Sequence, residues 1–325
     1  MRAVICPAFG DTLTVIELAP PALPPGGVRI AVHAAAANFA DSLMVAGKYQ
    51  EKLTPPFTPG MEAAGVVLET APGVDTCAPG DRVMAMLNGG GFADEAVTPA
   101  ENVMVIPDSM DFVTAAGFPV AWGTSHFGLR NRCRLQPGEV LLVHGAAGGV
   151  GLTAVEVGRR LGATVIATAG SADKLAVAQA HGAAHGIDYR GEDVRERVKE
   201  LTGGRGADVV YDPVGGAVFD ASLRCVAANG RILVVGFASG AVPQIPANIL
   251  LVKNITVIGY YWGAYRQLAP AALRASLAEL LQWYDAGRIT PHVSHTLDLA
   301  RAAEAIGLLK SRESTGKVVL TTGRS

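Results

Sequence analysis

The residues whose spacing most clearly implies chemistry are Ala146-Ala147-Gly148-Gly149-Val150-Gly151, which follow the apolar run "VLLVHG" and open a helix-length segment. At such a turn Gly148 lets backbone approach a pyrophosphate and Gly151 lets the helix pack close on its strand. The helix N-terminus then attracts the anion. An acid at the end of the next strand would bond the adenosine ribose and mark NAD. This strand instead ends Thr168-Ala169-Gly170-Ser171, with no carboxylate. A small open turn accepts a 2′-phosphate that a carboxylate would repel. Ser171 can donate a hydrogen bond to it and Lys174 can supply charge. The expected cofactor is NADP(H).

The elements needed to hold this turn are legible around it. From about residue 139, "EVLLVHG", "TVIATAG", "HGIDYR", "ADVVYD", "RILVVGF" and "ITVIGYYW" alternate with helix-length segments. Six strands with helical crossovers make a Rossmann doubly wound parallel sheet. Residues 1–110 differ, with short alternating runs ("VRIAVHAAA", "AAGVVLETA", "DRVMAML", "ADEAVTPA", "NVMVIP") separated by "PPGG", "TPGM" and "APGD". That pattern predicts a small β-rich, barrel-like domain. After Trp262 come an amphipathic helix, "PAALRASLAELLQWYDAG", and a helix–strand tail expected to return to the first domain. The expected division is 1–120 catalytic, 121–262 nucleotide-binding and 263–325 the return.

Composition narrows the partners. Half of the residues are hydrophobic, 17% are charged and the net charge is −2, so no basic excess favours nucleic acid. No apolar run approaches the roughly 20 residues of a membrane span. The N-terminus alternates like a strand and lacks a signal peptide's apolar core. The expectation is a cytoplasmic protein with neither membrane nor nucleic-acid partners. Cys6, Cys77, Cys133 and Cys225 form no CxxC pair and read as reduced structural thiols. His181 and His185 are one helical turn apart, but Gly182 lies between them and no third ligand is near in sequence.

The motifs "NFADSLMVAGKY" (38–49), "PFTPGMEAAGVV" (56–67), "AWGTSHFGL" (121–129), "HGAAGGVG" (144–151), "YDPVGG" (211–216) and "GKVVL" (316–320) span nearly the whole chain. In them the sequence resembles the zinc-independent NADPH:quinone oxidoreductases, the zeta-crystallin-like branch of the medium-chain dehydrogenase/reductase superfamily. The resemblance implies an α/β fold: a GroES-like β-barrel catalytic domain with an inserted Rossmann domain. It also implies NADP contacts at Asn38, Thr124, Gly148, Gly149, Val150, Ser171, Lys174, Tyr189, Phe237 and Arg312. The serine, lysine, tyrosine and arginine of that set would surround the 2′-phosphate.

Zinc-dependent relatives hold their metal with cysteine, histidine and cysteine. The matching positions are Asn38, Met61 and Ala116, none of which offers a thiolate or imidazole. Hydride transfer would then rely on position, and quinones or conjugated carbonyls suit it because conjugation spreads the incoming charge. Asn38 and Tyr49 are the candidate polar groups near the substrate, and Asp41 reads as a structural or pocket-wall residue. The tyrosine and arginine usual in this part of the family are Leu43 and Val45 here, so the pocket is more apolar. Reduction of an enone or enoyl thioester, or nucleotide binding without catalysis, are the alternatives. A homodimer is expected through the unprotected edge strand 254–262, with its aromatics buried between the copies.

Overall fold

The computed structural model describes residues 1–324. Along the chain run β1 (Arg2–Ile5), β2 (Thr14–Glu17), β3 (Gly27–Ala37), α1 (Phe39–Val45) and β4 (Glu62–Thr70). Then come β5 (Arg82–Met86), β6 (Glu95–Pro99), β7 (Val103–Val105), α2 (Phe112–Ala116) and α3 (Pro119–His126). The alternating part follows as β8 (Val140–Val143), α4 (Gly149–Arg160), β9 (Thr164–Ala169), α5 (Ala172–Ala180), β10 (His185–Asp188) and α6 (Val194–Leu201). It continues with β11 (Ala207–Asp212), α7 (Ala217–Cys225), β12 (Val226–Val234), α8 (Ala247–Lys253) and β13 (Thr256–Gly259). The chain then runs through α9 (Tyr265–Leu268), α10 (Pro270–Asp285), β14 (Val293–Asp298), α11 (Ala302–Lys310) and β15 (Lys317–Thr321).

Two compact units result among the described residues: 1–120 with 291–324, and 121–290. In the first, β3 is long enough to take two partners on one edge. Its first half pairs β6 and its second half pairs β15, while β4 covers the other edge. Four consecutive alanines, Ala34 to Ala37, keep this crowded stretch narrow, and all are buried. Leu299, Ala302, Ala305 and Ile306 pack with β3 and β15 residues in the core. This is a GroES-like barrel.

In the second unit the sheet order is β10-β9-β8-β11-β12-β13, all neighbours parallel, which is the Rossmann order. β8 is buried along its whole length, as a central strand covered on both faces must be. The Rossmann unit interrupts the GroES-like one, as the sequence implies.

Several boundaries differ from expectation. The chain rejoins the first unit at Pro291, not at residue 263, because α10 packs in the Rossmann unit: Ser276 bonds His126 at 2.7 Å and Trp283 stacks edge-on against the same ring. The final strand covers only Thr256–Gly259. Tyr260 and Trp262 are already buried in their own unit, Tyr260 through a 2.9 Å bond to the Thr124 carbonyl. They do not wait for a second copy. The cysteines are all free and buried. No helix among the described residues is long and apolar enough to cross a membrane.

Candidate functional site

The dinucleotide turn is built by β8 running into α4. Gly145 adopts a left-handed conformation (φ 58°), and its carbonyl accepts the Gly148 N–H at 2.9 Å. A Cβ on Gly151 would sit 2.1 Å from that same carbonyl, so only glycine fits there. The Ala146 N–H reaches across to the Thr168 carbonyl and fixes the turn against β9. His144 is fully buried between Thr168 (3.0 Å) and Ser222 (2.7 Å), and burial holds its pKa below the ordinary value. It braces the turn as a neutral ring. Asp212, at the end of β11, accepts the Val214 and Gly215 N–H groups and shapes the adjoining loop.

The turn after β9 and its surroundings carry three of the four residues expected at the 2′-phosphate, Ser171, Lys174 and Tyr189. Ser171 caps α5 by accepting the Lys174 N–H, which leaves its hydroxyl proton free to donate. Lys174 lies in the first turn of α5. Tyr189 follows β10, is exposed, and donates its N–H to the Ala169 carbonyl. A Cβ on Gly170 would lie 2.6 Å from the Tyr189 hydroxyl and 3.2 Å from Nε of Arg190. The space a side chain would need is therefore lined by a hydroxyl and a cation. Arg190 was not anticipated from sequence; the signal available was a cation directly after the third strand. Elsewhere in this unit, Val150 accepts the Ser125 hydroxyl through its carbonyl, Thr124 is buried on α3, and Phe237 is exposed in the loop after β12. Arg312 belongs to the GroES-like unit, exposed beyond α11 in a left-handed conformation (φ 60°).

The GroES-like unit holds a buried polar cluster. The registers of β3, β4 and β15 bring Asn38, Glu62 and Lys317 together from the strand ends. Lys317 Nζ donates to Asn38 Oδ1 at 2.7 Å and Glu62 Oε1 at 2.8 Å. Asn38 Nδ2 donates to Glu62 Oε1 at 2.9 Å and to the Ala36 carbonyl at 3.3 Å. Glu62 Oε2 accepts the Val120 N–H at 2.8 Å. Both amide hydrogens of Asn38 are thus committed inside the protein. It cannot offer one to a substrate, contrary to the simplest reading of its role. Asp41 caps α1 by accepting the Asn38 N–H and also takes the Gly60 N–H. Burial pushes its carboxyl up to about 7, against the pull of those bonds and of Lys317. Tyr49, just past α1, is buried. Lys317 and Glu62 complete a buried network that the sequence alone does not show, although both sit in the motifs quoted above.

The zinc-ligand positions remain Asn38, Met61 and Ala116, all buried, and among the described residues no group of three His, Cys, Asp or Glu is placed to hold a metal. A catalytic zinc does not fit this donor set.

Residues 24–108 match the alcohol dehydrogenase GroES-like domain model, and residues 149–282 match the zinc-binding dehydrogenase model. The quinone oxidoreductase-like protein 2 homolog of Nematostella vectensis is 43% identical over 99% of this chain and 89% of its own. Its Bos taurus counterpart is 42% identical over 98% of this chain and 92% of its own. The Escherichia coli quinone oxidoreductase, solved in complex with NADPH, superposes with a TM-score of 0.93 at 31% identity, covering 99% of this chain and 100% of that one.

Proposed function

The chain belongs to the zinc-independent quinone oxidoreductase branch of the medium-chain dehydrogenase/reductase superfamily, and from that membership we propose that it transfers a hydride from NADPH to a quinone without a metal. The observation that carries the cofactor choice is the turn after β9. Where an NAD enzyme places a carboxylate, this chain has Gly170 facing the Tyr189 hydroxyl. NADPH, when bound, supplies the hydride. Gly148, Gly149 and Val150 at the N-terminus of α4 hold the pyrophosphate, and Gly151 lets α4 approach β8 closely enough for that. Ser171, Lys174 and Tyr189 take the 2′-phosphate by charge and hydrogen bonding. Thr124 and Phe237 complete the cofactor contacts. Asn38 is held by Lys317 and Glu62, and acts through its remaining carbonyl lone pair. Tyr49 is the candidate hydroxyl at the substrate.

The test is steady-state reduction of 1,4-benzoquinone, 9,10-phenanthrenequinone, a simple enone and crotonyl-CoA, each with NADPH and NADH. Turnover of the quinones with NADPH preferred is the expected result. Turnover of only the enone or the thioester would move the assignment to C=C reduction, and NADPH binding with no turnover would make the chain a nucleotide-binding protein.

The working unit in this proposal is a homodimer paired along β13. That strand lies at the sheet edge and contains no proline. Lys253 does not guard it, because its ammonium is turned to the Leu223 and Val226 carbonyls. Nearby Leu251 and Val252 on α8 are 77% and 76% exposed. Light scattering should give about twice the 33.5 kDa chain mass, and Val257→Pro should abolish the pairing. A stable wild-type monomer would refute it.

A further inference from the structure

We propose that Arg190 is a specificity residue for the cofactor, a second cation that grips the 2′-phosphate from the far side of the Gly170 turn. This rests on the NADPH reading above and adds to it a residue that neither motif nor resemblance assigned.

Three observations converge. The first is position: Nε of Arg190 and the Tyr189 hydroxyl both approach the point where a side chain on Gly170 would begin. The second is preorganisation. The Arg190 N–H is held by Asp188 Oδ1 at 3.0 Å, the Tyr189 N–H by the Ala169 carbonyl at 3.2 Å, and the Gly191 and Glu192 N–H groups by the Asp188 carbonyl. The backbone on which Arg190 stands is fixed to β9 and β10. The third is that its charge is unspent. Among the described residues the Arg190 guanidinium makes no ion pair, although Asp188 and Glu192 flank it in sequence. Glu192 is committed to Arg197 at 2.8 Å and to the Asp188 N–H, and Asp188 Oδ1 to the Arg190 backbone. Asp173, on the first turn of α5, is exposed.

A guanidinium without an ion pair beside a hydroxyl, at a turn that excludes a side chain, has the fork geometry for a phosphate. Lys174 contributes a point charge from α5, and Arg190 can contribute two directed N–H groups from the turn after β10. Such an arrangement clamps a phosphate between two elements and offers an unphosphorylated ribose nothing comparable.

Calorimetric titration of the full chain with 2′,5′-ADP, 5′-AMP, NADPH and NADH tests this without any turnover. For Arg190→Gln, 2′,5′-ADP and NADPH should bind about tenfold more weakly, while 5′-AMP and NADH change by less than about twofold. Arg190→Lys, which keeps charge and loses the fork, should fall between. Equal weakening of 2′,5′-ADP and 5′-AMP would assign Arg190 to the adenine and overturn the proposal. A wild type that discriminates between the two ligands, with that discrimination intact in Arg190→Gln but lost in Lys174→Ala, would overturn Arg190's role and leave the cofactor reading standing. A wild type that binds both ligands equally would overturn the cofactor reading and Arg190's role together.

Discussion

Two cation-bearing polar clusters of this molecule behave oppositely. Around Lys317, the ammonium, an amide and a carboxylate satisfy one another in the dark of the barrel, with Glu62 fully buried. Around Gly170, Tyr189 and Arg190 are exposed on the Rossmann unit, and among the described residues the Arg190 guanidinium makes no ion pair. A closed network specifies architecture, because each member would be costly without the others. An exposed guanidinium beside a hydroxyl costs little to maintain and is open to an anion. A positive charge is therefore structural where it is enclosed, and open to an anion where it is exposed.

The largest effect that would test this contrast lies in the closed cluster. Lys317→Met strands a buried carboxylate and should destabilise the protein by about 3–5 kcal/mol in urea unfolding, with Glu62→Gln in the same chain recovering much of the loss. A loss below about 1 kcal/mol would show that the pair is hydrated and that the contrast is false. In the open cluster, Lys174→Ala should leave the melting temperature unchanged. NADPH affinity should fall about 10- to 150-fold, equivalent to about 1.5–3 kcal/mol, and NADH affinity should hold. Equal losses for both cofactors would remove Lys174 from the 2′-phosphate.

A smaller effect concerns pH. Asp41 is held up at about 7 in the folded chain, chiefly by burial, above the ordinary carboxylate value it regains on unfolding. The folded state then keeps a proton that the unfolded state has lost, so this contribution is complete below the unfolded pKa and disappears as pH rises through about 7. Between about pH 5 and about pH 8 the melting temperature of wild type should fall more than that of Asp41→Asn. Parallel curves would mean that Asp41 is ionised throughout. The smallest expected effect is none: exhaustive chelation should leave turnover intact, and elemental analysis should find no stoichiometric zinc. Activity lost to EDTA and restored by zinc would reverse the reading of Asn38, Met61 and Ala116.

Sequence made the open cluster legible because its parts are local: a glycine turn, a strand end without an acid, and a lysine three residues further on. Arg190 escaped because its meaning depends on β10 lying beside β9, which no single motif states. The closed cluster was harder still. Asn38 and Lys317 are 279 residues apart, and only the register of β15 on β3 joins them. The strands of the first unit stood out by alternation, whereas β14, with the pattern "VSHTLD" and mostly half-exposed, carried too little apolar signal to be read. α10 was placed in the wrong unit because an amphipathic face says that a helix packs, not against what.

The return of β15 to β3 also sets an order of events during synthesis. Every strand of the Rossmann sheet lies between residues 140 and 259, so that unit can complete its pairing as soon as the chain has passed β13. The barrel sheet, begun far earlier, lacks its β15 edge until residues 317–321 exist, and contacts of such separation form slowly. Until then Glu62 lacks its Lys317 partner, and barrel strands made before the Rossmann unit are finished after it.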